Sequence, residues 1–121
     1  MIEVVCGVVI DSKDRILITQ RGDFQNKYKW EFTGGKVYKN ENYNDSIKRE
    51  LMEELDIIVL PKEILYEYMF ENIKLLFIRC QVSEINISLN EHLDYKWVHK
   101  HELVRFDFLD GDKEFIKHFI K

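Results

Sequence analysis

Between residues 42 and 57 the chain carries two patterns that one helix must satisfy together. Tyr43, Ile47, Leu51 and Leu55 recur every four residues, as on one face of an amphipathic α-helix. Glu50, Glu53 and Glu54 lie three and four apart, so they share a face beside that apolar stripe. Like charges at this spacing cost helix stability. The stripe therefore has to pack on a broad apolar surface, while the acids line the edge of a cleft. Three oxygen donors on one rigid element suit a hard divalent cation. Mg²⁺ takes oxygen ligands, keeps several waters and is usually completed by substrate phosphates. A solvated acidic face is the alternative that the helix alone leaves open.

The broad surface comes from strands. Residues 2–10, IEVVCGVVI, form a buried β-branched run, and Asp11-Ser12-Lys13-Asp14 is a turn into RILITQR at 15–21, which predicts a hairpin. Trp30-Glu31-Phe32 alternates as a short strand, and Gly34 to about Asn40 reads as loop. A short strand from Ile57 to Leu60 is expected to end at Pro61; Ile64–Met69 and Ile73–Val82 form a second hairpin, and Tyr95–His99 a further strand. Asp110 or Asp112 can cap a last helix with Phe115, Ile116, Phe119 and Ile120 on its inner face. Strands around two helices predict an α+β fold, an α/β/α sandwich with a mixed sheet between the helices.

Composition narrows the function. With 121 residues the chain suits one domain, residues 1–121, and 45% hydrophobic with 33% charged residues is an ordinary globular balance. A net charge of −4 with no basic stripe argues against long nucleic acid as a partner. The N-terminus has no basic region or cleavage site of a signal peptide, and no apolar run approaches the roughly 20 residues of a membrane span. Cys6 and Cys80 sit inside apolar runs and read as buried free thiols, which places the protein in a reducing cytoplasm.

From Gly35 the chain runs five residues to Glu41, seven more to Arg49, and on through Glu50-Leu51-Met52-Glu53-Glu54-Leu55-Asp56-Ile57. This resembles the signature of the Nudix hydrolases, G-x5-E-x7-R-E-U-x-E-E-x-G-U, where U is bulky and apolar. Gly35, Glu41, Arg49, Glu50, Glu53 and Glu54 all match in spacing, roughly a one-in-ten-million coincidence per starting position. Asp56 stands at the family's final glycine and is expected to enter the left-handed region at some cost. The resemblance implies that Glu50, Glu53 and Glu54 ligate Mg²⁺ (or Mn²⁺), with the backbone carbonyl of Gly34 beside them. It also implies that Glu41 and Arg49 brace loop against helix. The implied chemistry is attack of water on phosphorus, with Glu50 or Glu53 as the first choice to take the proton.

Further runs resemble the MutT-like branch, which hydrolyses nucleoside triphosphates to monophosphate and pyrophosphate. Lys29-Trp30-Glu31-Phe32-Thr33-Gly34-Gly35-Lys36 is similar to W-E-F-P-G-G-K, with Thr33 in place of proline. Gln20-Arg21 matches a Q-R pair whose arginine faces substrate, and Lys36 could reach a phosphate. Glu91-His92, Trp97-Val98 and Glu102-Leu103 match E-H-x4-W-V-x4-E-L, making Glu91 a candidate ligand or base. Counted from Trp97, Asp112 falls where relatives carry Asn or Asp against the base edge, and Phe32 and Phe108 are candidates to flank the base. The expected substrate is a nucleoside triphosphate, including oxidised ones such as 8-oxo-dGTP. The alternatives are CTP or 5-methyl-dCTP, a pterin triphosphate, ADP-ribose, and a non-catalytic nucleotide-binding module. The expected partners are a small nucleotide alone, with the chain a monomer or homodimer.

Overall fold

A computed structural model describes residues 1–82 and 86–121. The first strand, β1 (Ile2–Ile10), runs through the middle of a seven-stranded mixed sheet. It turns at Asp11, whose carboxylate accepts the backbone N–H groups of Lys13 and Arg15, into β2 (Ile16–Gln20). β2 is flanked by β3 (Trp30–Glu31) and β7 (Asp94–Val98), both antiparallel. On its other side β1 pairs parallel with β6 (Ile73–Val82), from Ile2 opposite Ile73 to Ile10 opposite Gln81, and β5 (Val59–Phe70) closes that edge.

The period-two alternation of β1 divides the core. Val5 and Val9 point to one side with Leu76 and Ile78 of β6, and there they meet Ile47, Leu51 and Leu55 of helix α1 (Tyr43–Leu55). Cys6 and Val8 point to the other, into a cluster with Phe32, Phe77, Phe108, Phe115 and Ile116 beneath helix α2 (Asp110–Phe119). The sheet thus lies between two helices, the sandwich expected from the strand and helix pattern.

α1 starts where its side chains direct it. Asn42 takes an extended conformation and its amide oxygen accepts the Asp45 N–H at 2.8 Å. At the other end Asp56 adopts φ 56°, ψ 34°, so the left-handed cap forms without glycine.

Several boundaries differ from expectation. Gly34–Lys36 is strand β4, paired with Val4–Cys6 of β1, not loop. Pro61 does not end a strand; β5 passes through it on the sheet edge, with register shifts between Pro61 and Tyr66 absorbing the irregularity. α2 begins after Leu109, whose side chain has no acceptor to cap it, so neither Asp110 nor Asp112 is the cap, and Asp112 is turned inward to the Phe32 N–H. Its inner face is Phe115, Ile116 and the partly buried Phe119, while Ile120 is exposed. The stretch from Lys100 to Arg105 is a short 3₁₀ helix that no sequence pattern announced. Among the described residues no helix is long and apolar enough to cross a membrane.

Left-handed backbone costs a non-glycine residue about 1 kcal/mol. Asp56→Gly is therefore expected to raise the melting temperature by roughly 4 °C, measured by calorimetry, with hydrolytic activity unchanged.

Candidate active site

Arg49 organises the loop before α1. Its Nε and Nη2 donate to both oxygens of Glu41, at 2.8 and 3.0 Å, and Nη2 also donates to the Lys36 carbonyl at 3.1 Å. Nη1 reaches Glu50 at 2.8 Å and, more weakly, Glu53 at 3.4 Å. The Tyr38 ring lies under the guanidinium, 3.6 Å from its carbon. These Arg49 bonds, with the Tyr38 N–H, hold the Glu41 carboxyl down at about 2. A bidentate pair of this kind fixes orientation as well as charge.

The two glycines permit close approach. A methyl on Gly34 would sit 1.8 Å from the Val5 carbonyl oxygen, so any side chain there separates β4 from β1. A methyl on Gly35 would lie 2.4 Å from the Glu50 carboxyl carbon, so the Glu50 carboxylate occupies that space. Glu50 is thereby enclosed between Gly35 and Arg49, whereas the Glu53 side chain remains 55% exposed on the outer side.

Glu54 has the least comfortable position. Burial, then the charges of Glu31, Glu50 and Glu91, push its carboxyl up to about 8, and its Oε2 is buried with no hydrogen-bond partner. It shares a cavity of about 80 Å³ with Arg21, Glu31, Glu91 and His92. His92 is nearly buried; its Nε2 lies 2.7 Å from Glu31 Oε2, and its Nδ1, like Glu54 Oε2, is a buried side-chain atom without a partner among the described residues. The second Glu31 oxygen accepts from Arg21 Nη1 at 2.9 Å. Among the described residues no three His, Cys, Asp or Glu side chains close into a ready ligand set. The carboxylates of Glu31, Glu50, Glu54 and Glu91 lie close enough to act on one another at the α1 face. A partnerless buried oxygen inside a cluster of acids fits a hydrated divalent cation, which would supply the missing positive charge.

A second cavity, about 230 Å³, adjoins the first, and Arg21 and Glu31 stand in the walls of both. Asp112 lies in it at 4% exposure and accepts the Phe32 N–H at 3.3 Å. Burial, with the Glu31 charge next, raises its carboxyl well above the ordinary range. Its wall also includes Cys6, Phe32, Gly34, Gly35, Leu75 and Leu109.

Arg21, Glu54 and Glu91 thus come together round the smaller cavity and Arg21 and Asp112 round the adjoining one, with Glu50 packed against Gly35. Phe32 stands in the wall of the larger cavity but is only 1% exposed, with its ring stacked on Phe108 and edged by Phe77 and Phe115, so both rings are mainly core. Lys36 lies at the exposed end of β4, outside both cavities. Glu31 and His92 were missed as functional groups. The available signal was a carboxylate inside a buried strand run, at Trp30-Glu31-Phe32.

The NUDIX domain family model matches residues 2–119. An 8-oxo-dGTP diphosphatase of Buchnera aphidicola subsp. Schizaphis graminum is 36% identical over 110 residues, 87% of this chain and 82% of that protein. Another 8-oxo-dGTP diphosphatase, of Buchnera aphidicola subsp. Acyrthosiphon pisum, is 49% identical over 70 residues, 54% of this chain and 55% of that one. Among solved structures, a MutT from a study of the Aliivibrio salmonicida and Vibrio cholerae proteins superposes with a TM-score of 0.84 at 27% identity, covering 98% of this chain and 96% of that chain.

Folded Glu54 keeps its proton to about 8, while the unfolded side chain releases it near 4.5. The folded state binds the extra proton, so stability falls as pH rises through that interval. Without divalent cation, the wild-type melting temperature is expected to fall between pH 5 and pH 8.5. Glu54→Gln should flatten the slope and shrink the rise in melting temperature that Mg²⁺ produces. An unchanged slope in the variant would refute the placement of Glu54.

Proposed function

The chain belongs to the Nudix family and is a hydrolase of phosphoric anhydrides, and from that premise we propose that it converts nucleoside triphosphates, 8-oxo-dGTP among them, to monophosphate and pyrophosphate with Mg²⁺. The observation that carries this reading is the adjacency of the two cavities: a carboxylate-lined one at α1 and a larger one that ends on a buried carboxyl, sharing Arg21 and Glu31. The named relatives and the family match support it; a cytoplasmic location belongs to the same proposal.

In this reading Glu50, Glu53, Glu54 and the Gly34 carbonyl hold the cation. A bound Mg²⁺ neutralises phosphate oxygens and acidifies a coordinated water. The chain's own groups do the rest. Arg49 and Glu41 keep the α1 carboxylates in register with the glycine loop. Arg21, anchored by Glu31 and Asp23, offers a cation between the two cavities. Asp112 presents a largely desolvated carboxyl to a base edge, where an unpaired partner costs most. Hydrolysis forms one P–O bond to water and breaks the anhydride P–O bond, and pyrophosphate leaves. Glu50 is engaged by Arg49, whereas no cation among the described residues pairs with Glu91. Glu91 therefore takes the proton that the attacking water gives up.

The test is release of pyrophosphate and monophosphate from a panel of normal triphosphates, 8-oxo-dGTP, 5-methyl-dCTP and ADP-ribose with Mg²⁺. Glu50→Gln, Glu53→Gln and Glu54→Gln should each lower turnover by roughly two orders of magnitude or more while the melting transition persists. Full activity in all three would refute the cation assignment. Asp112→Ala is expected to raise KM for the preferred triphosphate about tenfold or more and to narrow the preference between bases. Hydrolysis of ADP-ribose alone would discard the base-site reading and leave the α1 reading intact.

A further inference from the structure

The end of α1 is capped from a distance. A helix leaves its last carbonyls without N–H partners, and the last turn of α1 has no basic residue to meet them. The segment 88–93 supplies donors instead. Ser88 N–H donates to the Leu55 carbonyl at 3.0 Å, Asn90 N–H to Glu54 at 3.2 Å, and the Asn90 side-chain amide to Glu53 at 2.7 Å. Beyond Glu91 the chain is tied a second time. Leu93 N–H donates to the Gln20 carbonyl at 2.9 Å, and His92, nearly buried, meets Glu31 at 2.7 Å. Glu91 itself is exposed between these ties and lines the small cavity with Glu54.

We infer that Asn90 and His92 are positioning residues that hold Glu91 over Glu54, one through the terminal carbonyls of α1 and the other through Glu31. Glu91 meets the Glu54 side chain in a hydrogen bond, yet an exposed carboxylate beside other acids tends to turn toward water. Asn90 opposes this because two donors of one residue engage two successive carbonyls of the helix that bears the metal-site acids. His92 opposes it from the other flank, and the Glu31 carboxylate in turn is held by Arg21. The distance between Glu91 and α1 is thereby set by hydrogen bonds on both neighbours of Glu91, beside the hydrogen bond that Glu91 itself makes with the Glu54 side chain.

The inference rests on Glu91 as the proton acceptor. The experiment compares Asn90→Ala, His92→Ala and His92→Gln, alone and combined with Glu91→Gln, on 8-oxo-dGTP with saturating Mg²⁺. Amide hydrogen exchange across residues 88–93 is followed separately in cation-free protein. Asn90→Ala and His92→Ala are expected to lower kcat about tenfold with KM within about twofold, since a misplaced group loses rate more than binding. His92→Gln, which keeps a donor for Glu31, should recover part of the loss. In the Glu91→Gln background neither alanine change should lower kcat more than about twofold further. Exchange across the segment should accelerate in Asn90→Ala. Wild-type kcat in both alanine variants alongside a crippled Glu91→Gln enzyme would overturn the inference, as would equal losses in the Glu91→Gln background or unchanged exchange. Full turnover in Glu91→Gln would instead remove the proton-acceptor assignment, and the inference with it.

Discussion

The site depends on one guanidinium. Arg49 is the point at which the glycine loop, the first turns of α1 and two of its acids are made into a single body. Its planar fork can serve Glu41, Glu50 and the Lys36 carbonyl at once, which a lysine ammonium could not do with the same geometry. Its charge also offsets the crowding of carboxylates that would otherwise oppose the helix. Glu54, just beyond the reach of Arg49 and facing Glu31 and Glu91, keeps the uncompensated share. The helix is therefore balanced at its outer face and unbalanced at the face toward the cavity, where an incoming cation is most useful.

That imbalance is tolerable because the opposite side of α1 is ordinary core. Ile47, Leu51 and Leu55 are fully buried against β1 and β6. Burial on this scale contributes on the order of 2 kcal/mol per side chain, enough to hold the acids together before any ligand arrives. The sheet then carries the arrangement across the molecule. β3 bears Glu31 into the walls of both cavities, and Phe32, just after it, gives its N–H to Asp112 of the other helix layer.

Much of this was legible in the sequence because the physics is local. A four-residue apolar period and a run of β-branched residues each declare their element within a few positions. The acids of α1 and the loop glycines were legible for the same reason, being fixed relative to one another by helix geometry and by spacing. Contacts made across the fold were not. The pairing of Gly34–Lys36 with β1 requires knowing what lies beside it. Asp112 looked like a helix-start acid and is a buried acceptor for Phe32. Phe32 looked like a free ring and is packed among three other rings, meeting the larger cavity only from its wall. Glu31 gave a faint signal, a charge in a buried strand, whose meaning appears only when Arg21 and His92 converge on it from separate elements.

The outer edge of the sheet has its own consequence. β5 is a 12-residue edge strand that exposes Leu60, Ile64, Met69 and Phe70, a composition that invites strands of other molecules to add on. Pro61 interrupts its row of donors, Lys62 and Glu63 place charge beside it, and the shifts in register bend the first half out of line. The irregularity at Pro61 thus guards solubility: a straight, proline-free version of this strand would turn an enzyme edge into a template for aggregation.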